Sequence, residues 1–272
     1  VEELYQIYSR GLEGFHDAPQ GNRKLIWVEE FNYSGLPDPK KWVFEKGFIG
    51  NNEPQLYTDR RLQNCRVENG NLVIEAIKEV YPNPAYICGT NDPNTRDSLA
   101  QYTSADITTQ GIFNLQYGRV EVRAKVPMGK GMWPAIWMLG KNLPQVGWPA
   151  CGEIDIMEIL GRDSSNLYGT IHYADVSCNH AQNGTIQPVG DPAADFHIYA
   201  MDWTQDRIEL YYDQLKHYTF FFSTASYSGS TFKKPFYLLR NLALGHAGGF
   251  AGPVDNYIFS QKFLVDYVRI YQ

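Results

Sequence analysis

From Lys24 onward the chain alternates between apolar and polar positions. The clearest stretch is Tyr117 to Val126, where Val120, Val122, Ala124 and Val126 interleave with Arg119, Glu121, Arg123 and Lys125. A period of two gives a strand with one buried and one wet face. Comparable runs cover Asn71–Glu79, Phe196–Trp203, Arg207–Asp213, Phe236–Leu244 and Phe263–Tyr271. Turn-forming clusters such as Glu68-Asn69-Gly70-Asn71 and Thr204-Gln205-Asp206 separate them. Roughly a dozen short strands with no clear interior helix predict an all-β sandwich of two antiparallel sheets. Tyr81–Ser98 and Val176–Asp195 are too irregular for strands and are expected to be long loops.

The first 22 residues stand apart. Leu4, Tyr8 and Leu12 recur four apart, which predicts a short helix over Glu2–Ser9, and Gly11, Gly14 and Pro19 end it. The expectation is an N-terminal extension over residues 1–22 followed by a single domain over 23–272. That is within the size range of one sandwich with a large core of its own.

Composition narrows the function. The net charge is −6 with both signs mixed along the chain, and no Lys/Arg block suits a nucleic-acid partner. No apolar stretch is long enough to span a membrane. The chain begins with Val and shows no signal-peptide core, which reads as a processed or trimmed form. Nineteen Tyr and six Trp suit flat-faced ligands such as sugars, although core packing uses such rings equally well. Cys65, Cys88, Cys151 and Cys178 match no metal spacing and permit either two disulfides in three pairings or free thiols. Asn32 and Asn183 open Asn-x-Ser/Thr triplets.

The segment that carries chemistry is Gly152-Glu153-Ile154-Asp155-Ile156-Met157-Glu158-Ile159. On a regular strand Glu153 and Asp155 share a face and Glu158 points to the other. One extra residue, a β-bulge at Ile156 or Met157, would return Glu158 to the same side, and bulges are common beside active sites. The acids then form a row spanning roughly 13 Å of strand, with side chains long enough to lean together. Paired carboxyl groups of this kind serve glycoside hydrolysis, one as nucleophile and the other as acid and then base. Mutual repulsion should leave one of them protonated near neutral pH. By spacing alone, a solvated strand face explains the acids equally well. A metal site is a weaker reading, because the nearest histidine lies 14 residues beyond Glu158.

This segment, preceded by Trp133-Pro134-Ala135-Ile136-Trp137-Met138, resembles glycoside hydrolase family 16, and within it the laminarinase-type endo-β-1,3-glucanases and related β-glucanases. Supporting stretches include Asn51-Asn52-Glu53, Tyr102-Thr103-Ser104-Ala105, Tyr117–Lys125, Gly169-Thr170-Ile171-His172-Tyr173 and Leu264–Arg269. The resemblance implies a concanavalin-like β-jelly roll with a concave substrate cleft. It implies Glu153 as nucleophile, Glu158 as acid/base, Asp155 as the group that tunes the nucleophile, and His172 facing Glu158. It places Trp133, Trp137, Trp148 and Asn51 along the substrate. No catalytic cofactor is implied. A structural calcium on the convex side would be held by the carbonyls of Glu30 and Gly50 and by the Asp266 side chain.

Two departures bear on substrate. Asp106 stands where many laminarinase-like members carry Arg, and Ala247 stands where many carry Trp. The expectation is a secreted, extracellular, monomeric retaining endo-hydrolase of β-glucan, with β-1,3-glucan favoured. Mixed-linkage β-1,3-1,4-glucan or another polysaccharide of the same family is an alternative. A lectin-like module would use the same sandwich and aromatic cleft but needs no triple acid.

Overall fold

In the computed structural model, residues 23–223 and 231–272 are described. The expected N-terminal helix lies outside them. The sandwich is as anticipated. One sheet runs β15(Leu215–Phe221)-β14(Arg207–Tyr212)-β13(His197–Trp203)-β8(Gly118–Lys125)-β17(Gln261–Tyr271)-β5(Asn71–Pro82)-β6(Leu99–Ser104)-β3(Gln55–Tyr57). β1(Leu25–Glu29) adds to β17 and β4(Cys65–Glu68) adds to β5. The facing sheet runs β12(His180–Pro188)-β11(Asn166–Ala174)-β10(Glu153–Ile159)-β9(Met132–Gly140)-β16(Phe236–Leu244)-β7(Asp106–Thr108)-β2(Val43–Glu45). A single turn of helix, α1(Leu143–Val146), sits in the β9–β10 connection.

The alternation read from β8 has the expected consequence. Val120, Val122 and Ala124 are fully buried between the sheets together with Trp42, Tyr173, Tyr199, Trp203, Phe232, Phe236 and Phe263. The opposite face of the first sheet is closed by ion pairs within and between strands. Arg119 bonds Glu121 at 2.6 Å and Asp202 at 3.2 Å, and Arg269 bonds Glu30 at 2.8 Å. Strand β16 is buried along its whole length. Its Leu238, Leu242 and Leu244 enter the main core. On the other side Tyr237 and Leu239 join Leu139, Cys151 and Trp137 in a second apolar cluster under the cleft.

One expected loop is a strand. Residues 180–188 form β12, paired along its length with β11. Its sequence, His-Ala-Gln-Asn-Gly-Thr-Ile-Gln-Pro, is largely polar because it is a sheet edge, although Ala181 packs against the core. The excursion after β5 is a loop as expected, tied down by Asn83, whose side chain donates to the carbonyls of Asn94 and Asp97. All four cysteines are free, with Cys65 and Cys151 buried and Cys88 and Cys178 exposed.

Candidate active site

Glu153, Asp155 and Glu158 lie on β10, and its pairing explains how they reach one face. Against β9, Asp155 sits opposite Trp137 and Met157 opposite Ile136, so Ile156 has no partner. Against β11, Asp155 sits opposite Thr170 and Glu158 opposite Tyr168, again one residue too many on β10. This is the anticipated bulge. Ile154, Ile156 and Met157 all end in the core, while the three acids line one cavity of about 520 Å³. Gly152 makes the approach to β10 possible. Its φ is +83°, and a Cβ there would meet Thr231 Cγ2 at 2.4 Å and Phe236 Cζ at 2.9 Å.

Each outer acid accepts a hydrogen bond from an indole. Trp148 Nε1 donates to Glu153 at 3.0 Å and Trp133 Nε1 donates to Glu158 at 2.9 Å. The Glu153 and Asp155 carboxyl groups hydrogen-bond each other. His172 stands directly opposite Glu153 in the sheet register, with Nε2 3.2 Å from Asp155 and 3.9 Å from Glu153. This corrects the expectation that it faces Glu158. The 3.2 Å approach lies off the hydrogen-bond direction, so Asp155 Oδ2 is buried without a partner.

Electrostatics follow from burial. Glu153 is pushed up to about 8, chiefly by desolvation and then by the Asp155 charge. Glu158 is pushed up to about 7 by desolvation, partly offset by the Trp133 hydrogen bond. Asp155, the most deeply enclosed, lies well above the ordinary carboxylate range, first through desolvation and then through the Glu158 charge. The row therefore shares protons across neutral pH. The higher value falls on Glu153, although a nucleophile must be ionised. The hydrogen bond between Glu153 and Asp155 raises Glu153 and lowers Asp155, so in the empty cleft the shared proton rests on Glu153, and Glu153 must give it up as substrate enters. Glu153, Asp155 and His172 also bring three donor atoms within 4.8 Å of one another. With both carboxyls raised, that space suits a shared proton rather than a bound ion.

The far wall of the cavity is a hydrogen-bonded chain. Trp137 Nε1 donates to Asn241 at 2.9 Å, Asn241 donates to the Tyr57 hydroxyl at 2.8 Å, and Gln55 donates to Glu53 at 2.7 Å. The Trp137 plane is fixed by this chain. Asn51 lines the same wall and donates to Glu53 at 3.3 Å. Asp106, also on this wall, is buried with Oδ1 unpartnered. Trp133, Trp137 and Asn51 all line this cavity. Trp148 borders the acids and is about half exposed. Glu53, Tyr57 and Asn241 are site residues that the sequence reading does not name, whereas Asp106 enters it only as a departure bearing on substrate. Glu53 adjoins the expected Asn51, and its acidity beside two Asn was the available signal.

The expected calcium ligands sit on different elements. Gly50 lines the cleft against Glu53, whereas Asp266 belongs to β17 of the other sheet and accepts a 2.6 Å bond from Arg123. A guanidinium already supplies the positive charge at Asp266, and the Glu30 carboxylate is likewise held by Arg269. The Glu30, Gly50 and Asp266 set therefore rests on the resemblance alone.

A two-sheet β-jelly roll with a buried carboxyl row, indole donors and a stacking wall defines a glycoside hydrolase. The chain belongs to glycosyl hydrolases family 16, whose profile matches residues 60–243. It is 39% identical to a beta-glucanase of Rhodothermus marinus over 92% of this chain and 85% of that protein. Among solved structures it superposes on a non-specific endo-beta-1,3(4)-glucanase with a TM-score of 0.80 at 41% identity, covering 94% of this chain and 93% of that one. It also superposes on a structure from work on endo-acting O-glycanases with which human gut microbiota initiate mucin breakdown. There the TM-score is 0.86 at 40% identity, over 93% of this chain and 91% of that one.

Proposed function

We propose that this enzyme cleaves β-glucan internally with retention of anomeric configuration, β-1,3-linked chains first. The carrying observation is the bulge at Ile156, which turns Glu153 and Glu158 into one cleft with Asp155 between them. Glu153 attacks the anomeric carbon while Glu158 gives its proton to the departing oxygen, and Glu158 then takes a proton from the water that releases the sugar. Asp155, hydrogen-bonded to Glu153, takes up the shared proton as substrate enters and so leaves Glu153 ionised for attack. Trp133 and Trp137 offer ring faces to the sugars. We further propose that it works as an extracellular monomer, since a polymeric substrate must be met outside the cell.

A second reading has specific support. The O-glycanase superposition reaches a higher TM-score than the glucanase one at nearly equal identity. Asp106 and Ala247 both depart from the laminarinase-like pattern. Under this reading the substrate is a mucin-type O-glycan, cleaved by the same acids. Laminarin, lichenan, agarose and mucin O-glycans, assayed side by side with products sized, separate the two. Release from laminarin above the others supports the first, and release from mucin glycans alone replaces it with the second. Proton NMR of the first product should show the retained anomer. Glu153→Ser should abolish turnover on every substrate while binding persists. Undiminished turnover would remove the hydrolase mechanism, and binding by the wild type without cleavage would leave a lectin.

A further inference from the structure

The acid row is supported from one side by a closed ring of contacts that includes the edge-strand residue His180. β12 pairs with β11 so that His180 lies opposite Ala174, on the same face as His172 and diagonal to it. Nε2 of His180 is 2.9 Å from Nδ1 of His172, and the two rings stack at 5.2 Å. The Trp148 ring packs against His180 at a centroid distance of 4.6 Å, while its Nε1 holds Glu153. His172 in turn reaches Asp155 and Glu153 through Nε2. The circuit is therefore Glu153, Trp148, His180, His172 and back to the acids.

A nitrogen-to-nitrogen contact of 2.9 Å needs one hydrogen between the rings. If that hydrogen sits on His180 Nε2, His172 Nδ1 is bare and neutral His172 must present Nε2–H to the acids. If it sits on His172 Nδ1, neutral His172 presents a bare Nε2 to the acids, with no hydrogen to donate. In that second arrangement His172 can also take up a further proton on Nε2 and face the Glu153 carboxylate as a cation. His180 stays an acceptor only while it is itself neutral. Its value is lowered by desolvation and by the neighbouring His172 charge, which favours that state.

We propose that His180 is a positioning residue for hydrolysis: it accepts the Nδ1–H of His172 and so fixes which histidine nitrogen meets Asp155 and Glu153. This rests on the hydrolase reading of the acid row. The titratable groups on elements packed around His180 are His172 on β11, Glu153 and Asp155 beyond it on β10, Asp175 in the turn leading into β12, and Tyr218 of β15, which bonds Asn183. Among these His172 is the one that bears on His180 directly. The Trp148 contact holds the His180 ring in place, so sugar binding and proton placement meet at one residue.

The test compares the full-length wild type with His180→Phe, which keeps a ring against Trp148 and loses the acceptor, and with His180→Gln, whose amide oxygen can still accept. Nitrogen-15 NMR on histidine-labelled protein, with His172 assigned by a His172→Gln sample, reads the tautomer without relying on activity. Nδ1 of His172 should be protonated in the wild type and in His180→Gln, and its signal should change in His180→Phe. On whichever substrate the wild type cleaves, His180→Phe should lose roughly tenfold in kcat with little change in KM. Its acidic limb of kcat/KM should move to higher pH, and His180→Gln should recover most of both. An unchanged His172 tautomer in His180→Phe, or a loss confined to KM, overturns the proposal. Failure of the hydrolase reading would appear separately, as turnover that survives Glu153→Ser.

Discussion

Replacing Glu153 by Gln should make the protein more stable at pH 8 and leave it nearly unchanged at pH 4. The folded state lifts the Glu153 carboxyl from an ordinary 4.5 to about 8, through burial first and the Asp155 charge second. Below about pH 4.5 both folded and unfolded chains hold the proton, and the stability that goes with the protonated form is fully present. Between 4.5 and about 8 the unfolded chain releases the proton while the folded one retains it, so stability falls as pH rises. At about 1.4 kcal/mol per pH unit, the ceiling on this loss is roughly 5 kcal/mol. Asp155 and Glu158 titrate with Glu153 and take part of the loss, so about half the ceiling is the expected gain for Gln at pH 8. Gln matches the protonated acid in shape and still accepts the Trp148 hydrogen bond, so no cavity opens. Urea unfolding followed by tryptophan fluorescence at pH 4, 5.5, 7 and 8 measures the difference directly. A difference that stays flat with pH, or a wild type that is the more stable at pH 8, would refute the argument that burial without a counter-ion sets the charge state of this row.

Gly152→Ala forces a Cβ into Thr231 and Phe236 at a positive φ and should cost about 3 kcal/mol or more, read by the same unfolding experiment, with activity lost as Glu153 is displaced. The kcat/KM profile should fall above about pH 7, because the raised value of Glu158 keeps its proton below that point and loses it above; Glu158→Gln should erase this limb and lower kcat on unactivated glycans by roughly 10²–10⁴. A sulfated derivative of the preferred glycan should be cleaved at least about tenfold less efficiently than the neutral one, an effect that should shrink as salt is added.

Much of the site was legible because a single strand carries it. The spacing of Glu153, Asp155 and Glu158 puts them on one face only if a bulge falls at Ile156 or Met157, and the pairing with both neighbours supplies it at Ile156. Trp133 and Trp137 share a face for the same reason of period two. What crosses between strands was harder to read. The partner of His172 depends on the register of β10 against β11, which is set by a connection whose residues carry no alternation; in the observed register His172 lies opposite Glu153 and Tyr168 opposite Glu158. β12 escaped notice because an edge strand has no buried face to produce a pattern, and His180 went with it. Gly50 was matched to a calcium set by sequence likeness alone, and its backbone proves to belong to the cleft.

The charge of the cleft argues for a neutral substrate. Glu45, Glu53 and Asp106 on the far wall and Glu153, Asp155 and Glu158 on β10 all line one cavity, and no lysine or arginine is among its described lining residues. Every one of these carboxyls is raised, with desolvation the leading cause in each. An anionic polymer entering here would add charge of the same sign at low dielectric and push the acids further toward protonation, Glu153 included, which removes the nucleophile. A neutral sugar does the reverse. Its hydroxyls donate to whichever oxygens are ionised and accept from whichever are protonated, and the unpartnered Oδ1 of Asp106 and Oδ2 of Asp155 are buried acceptors of the kind such hydroxyls satisfy. Substrate binding and nucleophile ionisation are thereby linked: the cleft is costly to hold empty at neutral pH, and the glycan that fills it supplies the donors that let Glu153 carry its charge.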